Sequence, residues 1–352
     1  MAIADAAKKI EGGVRHIPAV ILRRPYLLFL GKEVLPLKAK TACGLKDWAG
    51  DACIGQLRMP GCRVDLGLPE MDPASAASAG AGSLVIGVTP LGGRINPEWD
   101  ATLIAAVDAG LDIVSGLHTP LRNVTLLAKA AARRGVALVD VRRPPDNLPR
   151  ATGKRRSGKR VLTVGTDCAL GKKYTALALT KAMRERGIDV DFRATGQTGV
   201  IIAGRGIVID AVVADFIAGA AECIAPSAAA DHWDLIEGQG SLFHPAYAGV
   251  TLGLMHGAQA DALVLCHDPR RTHLVSWPDY PIPTLREAAE AYVRAARLTN
   301  PDARMAAISL NTFGMPEADA LEAIETASRE MGLPAFDPIR TPLHAAIGNI
   351  MQ

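Results

Sequence analysis

Residues 160–175 read RVLTVGTDCALGKKYT: a short apolar run, a glycine-bounded loop and a helix led by lysine. Glycines at 165 and 171 let the backbone bend until several N–H groups face one anion. The positive end of the following helix and the Lys172 ammonium add charge at the same point. The expected chemistry is phosphate binding by a P-loop, with Gly165, Thr166, Asp167, Cys168, Ala169, Leu170, Gly171, Lys172, Lys173 and Tyr174 holding a cofactor. Five residues separate the two glycines, one more than in the simplest pattern. A Ser or Thr normally follows the lysine and holds Mg²⁺. Here Lys173 and Tyr174 follow it, and Thr166, Asp167 or Thr175 would have to substitute. Phosphate cleavage needs that ligand, whereas a coenzyme whose diphosphate stays uncut, such as coenzyme A, needs only the cradle. No metal is expected.

Other candidates lie after later apolar runs. RATGQTGVIIAGRG (193–206) offers Arg193, Gln197, Thr198 and Arg205, and a guanidinium grips a substrate carboxylate through two hydrogen bonds. EGQGSLFHPAYAG (237–249) offers Glu237 and His244 as proton acceptors, and Gln239 and Ser241 as substrate contacts. Backbone N–H groups near 238–241 are candidates for oxyanion stabilisation. Asp215, in DAVVADF (210–216), is a third catalytic candidate, with helix capping or a surface position as alternatives. CHDPRRTH (266–273) is either a site for a base, a 3′-phosphate or an acidic substrate, or a plain surface loop. GVTPLGGR (87–94) and SGLHTP (115–120) are weaker candidates, with Arg94 and His118 as their polar groups.

These segments need a scaffold that gathers strand ends. Apolar runs at 25–30, 83–88, 111–116 and 136–141 alternate with helical stretches at 98–109 and 121–134, each closed by a glycine. A second series of strands is expected at 160–164, 188–192, 234–237, 261–266 and 305–310. Helices are expected at 172–186, 284–297 and 316–330. Such alternation predicts an α/β fold with mostly parallel sheets covered on both faces. In that architecture ligands bind beyond the carboxyl ends of the strands. The Pro-, Gly- and charge-rich stretch at 143–159 marks the join between domains 1–148 and 149–352. The basic run at 154–160 is read as a solvated linker.

The chain has 352 residues, 49% of them apolar and 21% charged, as expected of a soluble globular protein with two cores. A net charge of +3 gives no argument for nucleic acid, and no apolar run is long enough to span a bilayer. The start, MAIADAAKKIEGG, lacks the order of a signal peptide, and the six cysteines form no C-x-x-C. A cytoplasmic protein with reduced thiols is expected, acting on a small molecule without nucleic acid or membrane partners.

Together GTDCALGKKYTALAL, DFRATGQTG, AVVADFIAGAAE, DHWDLIEGQGSLFHP and the N-terminal GQLRMPGCRVDLGLPEM resemble a two-domain P-loop family formerly of unknown function, DUF1611. Some of its members are assigned as D-glutamate N-acetyltransferases of the DgcN type. The resemblance covers the chain from about Pro25 onward. It implies a Rossmann-like N-terminal domain followed by a P-loop NTPase-like domain, and a homo-oligomer. The implied activity is acetyl transfer from acetyl-CoA to the amine of D-glutamate or a related D-amino acid. The loop also resembles that of dethiobiotin synthetase, but Lys173 stands where that enzyme has Thr. An ATP-dependent ligase or kinase, and a nucleotide-binding switch without chemistry, are the alternatives.

Overall fold

The computed structural model describes residues 19–352. The N-terminal segment read above for a targeting signal lies outside the described residues, as does the start of the first domain. The chain divides into two compact units, with the break between Pro144 and Pro145. Val200–Val208 is counted with the first unit, although it lies far along the second half of the sequence.

The first unit is built on five parallel strands, β1 (Tyr26–Gly31), β2 (Cys53–Arg58), β3 (Ser83–Ile86), β4 (Asp112–Ser115) and β5 (Leu138–Asp140). Their order is β2-β1-β3-β4-β5. Helices α1 (Lys40–Trp48), α2 (Pro73–Ser78), α3 (Asp100–Asp108) and α4 (Thr125–Arg134) connect them. All six residues of β1 are buried, as an apolar run in the middle of a parallel sheet must be. Gly135 ends α4 in the left-handed conformation, as its position predicts. Strand β2, CIGQLR, was not expected, because it lacks a continuous apolar run. Its Gln56 is buried, and both ends of the amide are used: Nε2 donates to Asp65 (2.9 Å) and Oε1 accepts from Leu66 N–H (2.8 Å). The 87–94 and 115–120 loops pack on each other, with His118 N–H donating to Gly93 O (2.8 Å).

The second unit carries the P-loop. Its strands are β6 (Lys159–Gly165), β7 (Val190–Arg193), β8 (Trp233–Ile236) and β9 (Ala262–His267). They are followed by the hairpin strands β10 (His273–Leu274) and β11 (Trp277–Pro281), then β12 (Arg304–Leu310) and β13 (Ala335–Phe336). Six of them form one parallel sheet in the order β13-β12-β9-β6-β8-β7, and β10 pairs with β11 in antiparallel fashion. The helices are α5 (Lys172–Glu185), α6 (Gln197–Ala203), which passes into the first unit at Val200, α7 (Ile217–Ile224), α8 (Ala248–Ala258), α9 (Leu285–Ala296), α10 (Glu317–Met331) and α11 (His344–Ile350). Central β6 lies between β8 and β9, so the chain leaves it in one direction to β7 and returns past it to β9. That reversal opens a crevice at the carboxyl end of β6, which is where the P-loop begins.

The basic run at 154–160 is only in part a solvated linker: Lys154, Arg155 and Lys159 are exposed, but Arg156 and Arg160 are held by the fold. Arg156 donates to the carbonyls of Gly257 (2.6 Å) and Ala258 (3.0 Å) at the end of α8, where a cation complements the helix dipole. Arg160 is almost wholly buried and donates to Ser157 O. Burial, with neighbouring Arg160 second, pulls Arg156 down to about 10. All six cysteines are free thiols. Among the described residues, no helix is long and apolar enough to cross a membrane.

Candidate active site

The P-loop is preformed and braced from several sides. Ala169 (φ +52°) and Gly171 (φ +101°) take left-handed conformations, and such alternation points successive N–H groups toward one centre. The buried Lys172 ammonium donates to Asp167 O (2.8 Å) inside the loop. Desolvation pushes Lys172 below its ordinary range, so an incoming anion would restore charge compensation to a buried cation. Arg271 spans the loop, donating to Asp167 Oδ2 (2.9 Å), Cys168 O (2.8 Å) and Ala169 O (2.9 Å). Asp167 is wholly buried, and its other carboxylate oxygen accepts from Cys168 N–H. Its carboxylate therefore shapes the loop. The loop start is fixed by Tyr292 on α9, whose hydroxyl donates to Gly165 O (2.7 Å) and accepts from Leu242 N–H (3.1 Å). Burial raises the Tyr292 hydroxyl to about 12, so it stays a donor.

The three residues able to replace the missing hydroxyl are engaged elsewhere. Thr166 Oγ1 pairs with His267 Nδ1 (2.9 Å), Thr175 Oγ1 with Ser309 Oγ (2.8 Å), and Asp167 with Arg271. The Lys173 ammonium lies over the ring of Tyr174, 5.1 Å from its centroid.

Glu237 follows β8 and is buried. One carboxylate oxygen accepts from Thr195 N–H and Gly196 N–H, both at 3.1 Å, just ahead of α6. A side chain on Gly199 would collide with this carboxylate and one on Gly196 with the amide of Gln239 beside it, so the glycines of ATGQTG make room for both. Desolvation raises the Glu237 carboxyl above its ordinary range, and the charge of Lys173 is the first influence opposing it. Gln239 Nε2 donates to Thr195 Oγ1 (3.2 Å), while buried Ser241 Oγ accepts from Phe243 N–H (3.3 Å). Gln197 and Thr198 stand on the first turn of α6, Gln197 half-buried and Thr198 buried.

His244 is buried, and its Nδ1 accepts from Ala246 N–H (3.2 Å). A neutral ring with Nδ1 so committed carries its proton on Nε2 and acts as a donor there. Burial keeps His244 below its ordinary range, favouring the neutral form. Ligand-capable atoms of Asp167, Cys168 and His244 lie within 4.8 Å of one another, which puts the imidazole beside the P-loop.

Three expected residues are not gathered here. Arg193 is spent on a buried ion pair, with Nε on Asp234 (2.5 Å) and a second nitrogen 3.2 Å from Asp191, so it does not grip a substrate carboxylate. Arg205 is exposed and belongs to the first unit, where its backbone bridges to Ala19. Asp215 is exposed on a short 3-10 turn before α7, which is the surface position given above as an alternative to a catalytic role. The CHDPRRTH segment proves to be a brace: Arg271 holds the P-loop, and Arg270 is held by Asp268 (3.0 and 2.9 Å) and Phe313 O (2.6 Å). Tyr292 gave no signal in the sequence, since a tyrosine on the apolar side of an amphipathic helix reads as core.

The P-loop domain model of DUF1611, described as a domain of unknown function, matches residues 149–347, and its Rossmann-like N-terminal model matches 57–144. The chain belongs to the DUF1611 family. A D-glutamate N-acetyltransferase of Tritonibacter scottomollicae is 49% identical over 320 residues, 91% of this chain and 96% of the relative. One from Pseudoalteromonas sp. is 44% identical over 329 residues, 94% of this chain and 99% of the relative. A crystal structure of a DUF1611 family protein from Anabaena variabilis matches with a TM-score of 0.85 and 34% identity, covering 93% of this chain and 99% of that one. With relatives so similar over their whole length, this DUF1611 protein is an enzyme, an N-acetyltransferase.

Proposed function

We propose that this DUF1611 protein moves the acetyl group of acetyl-CoA to the amine of D-glutamate, with the P-loop gripping the coenzyme's phosphates. The observation that carries the reading is a phosphate nest whose lysine is followed by Lys173 in place of a metal-holding hydroxyl. Such a loop suits a diphosphate used as a handle. The printed activity of the two relatives supplies the acyl chemistry and the acceptor.

The amine nitrogen attacks the thioester carbonyl carbon, the C–S bond breaks, and the coenzyme leaves as a thiol. Glu237 takes the amine proton and passes it to the departing sulfur. A carboxyl with a raised proton affinity is suited to both transfers. His244 is assigned as a donor through Nε2, because its Nδ1 is committed to Ala246. Holding both reactants at one crevice lowers the entropic barrier.

The test follows thiol release from acetyl-CoA with D-glutamate as acceptor, with wild type and Lys173→Thr compared for Mg-ATP turnover. Thiol release dependent on D-glutamate, with no ATP turnover gained by the variant, is expected. Release at the hydrolysis blank, or brisk ATP turnover on restoring the hydroxyl, would overturn the reading.

A further inference from the structure

Beside the P-loop four rings stand in a row, three of which the fold does not bury as core. His244 stacks on Tyr247, with centroids 4.5 Å apart and planes at 29°. Trp277 meets His244 edge-on at 5.7 Å, and Tyr280 meets Trp277 edge-on at 5.8 Å. His244 is buried beneath, whereas Tyr247, Trp277 and Tyr280 are 50%, 38% and 44% exposed. Every residue of β11, which bears Trp277 and Tyr280, is exposed. Large rings left in water by a chain with only 4% aromatic residues serve something other than the core.

The row is fastened to the phosphate nest through His244 and through the turn before β11. Val275 N–H donates to Asp167 Oδ2 (2.8 Å), which ties the turn before β11 to the loop. Arg271, just ahead of β10, holds the loop carbonyls. His244 itself lies beside Asp167 and Cys168. The ring nearest the anion site is therefore His244, which has the exposed Tyr247 on one side and Trp277, followed by Tyr280, on the other. Exposed aromatic rings next to a phosphate cradle match a molecule that joins a flat heterocycle to phosphates through a ribose.

We propose that Tyr247, Trp277 and Tyr280 form the seat of a purine ring whose phosphates lie in the P-loop. Resting on the acyl-donor reading above, this purine is the adenine of acetyl-CoA. The shared chemistry, an adenine nucleotide, has ATP as its other source. The seat sorts ligands by their nucleotide end and leaves the acyl end to the strand-end residues.

Calorimetric titration with coenzyme A, ADP and pantetheine tests the seat in wild type, Trp277→Ala, Trp277→Phe and Tyr280→Ala. Trp277→Ala is expected to weaken coenzyme A binding about tenfold, and Trp277→Phe much less, since a ring remains. The preference for acetyl-CoA over acetyl-pantetheine should fall by the same factor. In the wild type, coenzyme A should quench tryptophan fluorescence, and Trp277→Phe should lose that quench even if the alanine variants fold poorly. Unchanged coenzyme A and ADP affinity in Trp277→Ala, or a full quench in Trp277→Phe, overturns the seat while acetyl-CoA turnover keeps the donor reading. ADP bound tightly and coenzyme A hardly at all, with Trp277 required, keeps a purine seat but assigns it to ATP and sinks the donor.

Discussion

Glu237, the base of the proposed reaction, is a buried carboxyl that carries an electrostatic cost. Burial holds it above its ordinary range against the pull of Lys173 and two N–H donors. The folded protein therefore binds that proton more tightly than the unfolded chain does. The stabilisation this gives is complete below the unfolded value, near 4.5, and is lost as the pH rises through the folded one. Glu237→Gln keeps an oxygen for Thr195 and Gly196 but does not ionise. Its melting temperature should gain on wild type progressively as the pH rises from 4.5 to neutral, as thermal denaturation across that range would record. Acetyl transfer in the same variant should fall by a factor of about 10² to 10⁴, the usual worth of a general base. A fully active Glu237→Gln would move the base elsewhere. The P-loop was legible in the sequence because glycines and a lysine between a strand and a helix carry their own signal, and the place of Glu237 just after β8 was legible from the apolar run before it. The misreading of Arg193 has a simple origin: its partner Asp234 is 41 residues away, and only the pairing of β7 with β8 brings them together.

Elements carry the loop as much as its own residues do, and Tyr292 shows how. From α9 it joins the end of β6 to the segment after β8 through a single hydroxyl. Tyr292→Phe keeps the packing on Phe243 (centroids 6.1 Å) and leaves Gly165 O and Leu242 N–H without that partner. A loss of about 1 to 3 kcal/mol in unfolding free energy is expected, measurable by denaturant titration. Hydrogen exchange should quicken in the P-loop ahead of the rest of the sheet; uniform exchange would show that the bond does not brace the loop. Strands β6, β8, β9 and β12 fall within a residue or so of where the sequence places them, since central parallel strands are mostly apolar runs. Helices α6 to α8 went unread because glycine weakens the local helical signal. In α8 the spacing of Gly249, Gly253 and Gly257 is itself the message. At intervals of four they share a face, and side chains on Gly253 and Gly257 would strike Ile217 and Ala218 of α7.

At the scale of the whole molecule, the Pro- and Gly-rich join was visible at 143–159, and the break between units falls within it. The return of Val200–Val208 to the first unit was not visible, because nothing in RATGQTGVIIAGRG separates residues that follow β7 from residues that pack in another core. Ile201 is 1% exposed and counted in the core cluster of the first unit, and Ile207 and Val208 are equally buried. A cut between 144 and 145 therefore strips apolar residues in the second fragment of their partners, at about 1.5 to 3 kcal/mol for each fully buried side chain. A fragment of residues 145–352 is expected to melt below the full chain and to bind a hydrophobic dye. Changing Ile201 to Asp should act with opposite signs in the two contexts. In the full chain it places a charge in a closed core and lowers the melting temperature; in the fragment it relieves an exposed apolar patch and improves solubility. Calorimetry and dye binding on the four proteins read both signs. If the change harms the fragment as much as the whole chain, Ile201 is buried within the P-loop half, and the interleaving of the two units is wrong.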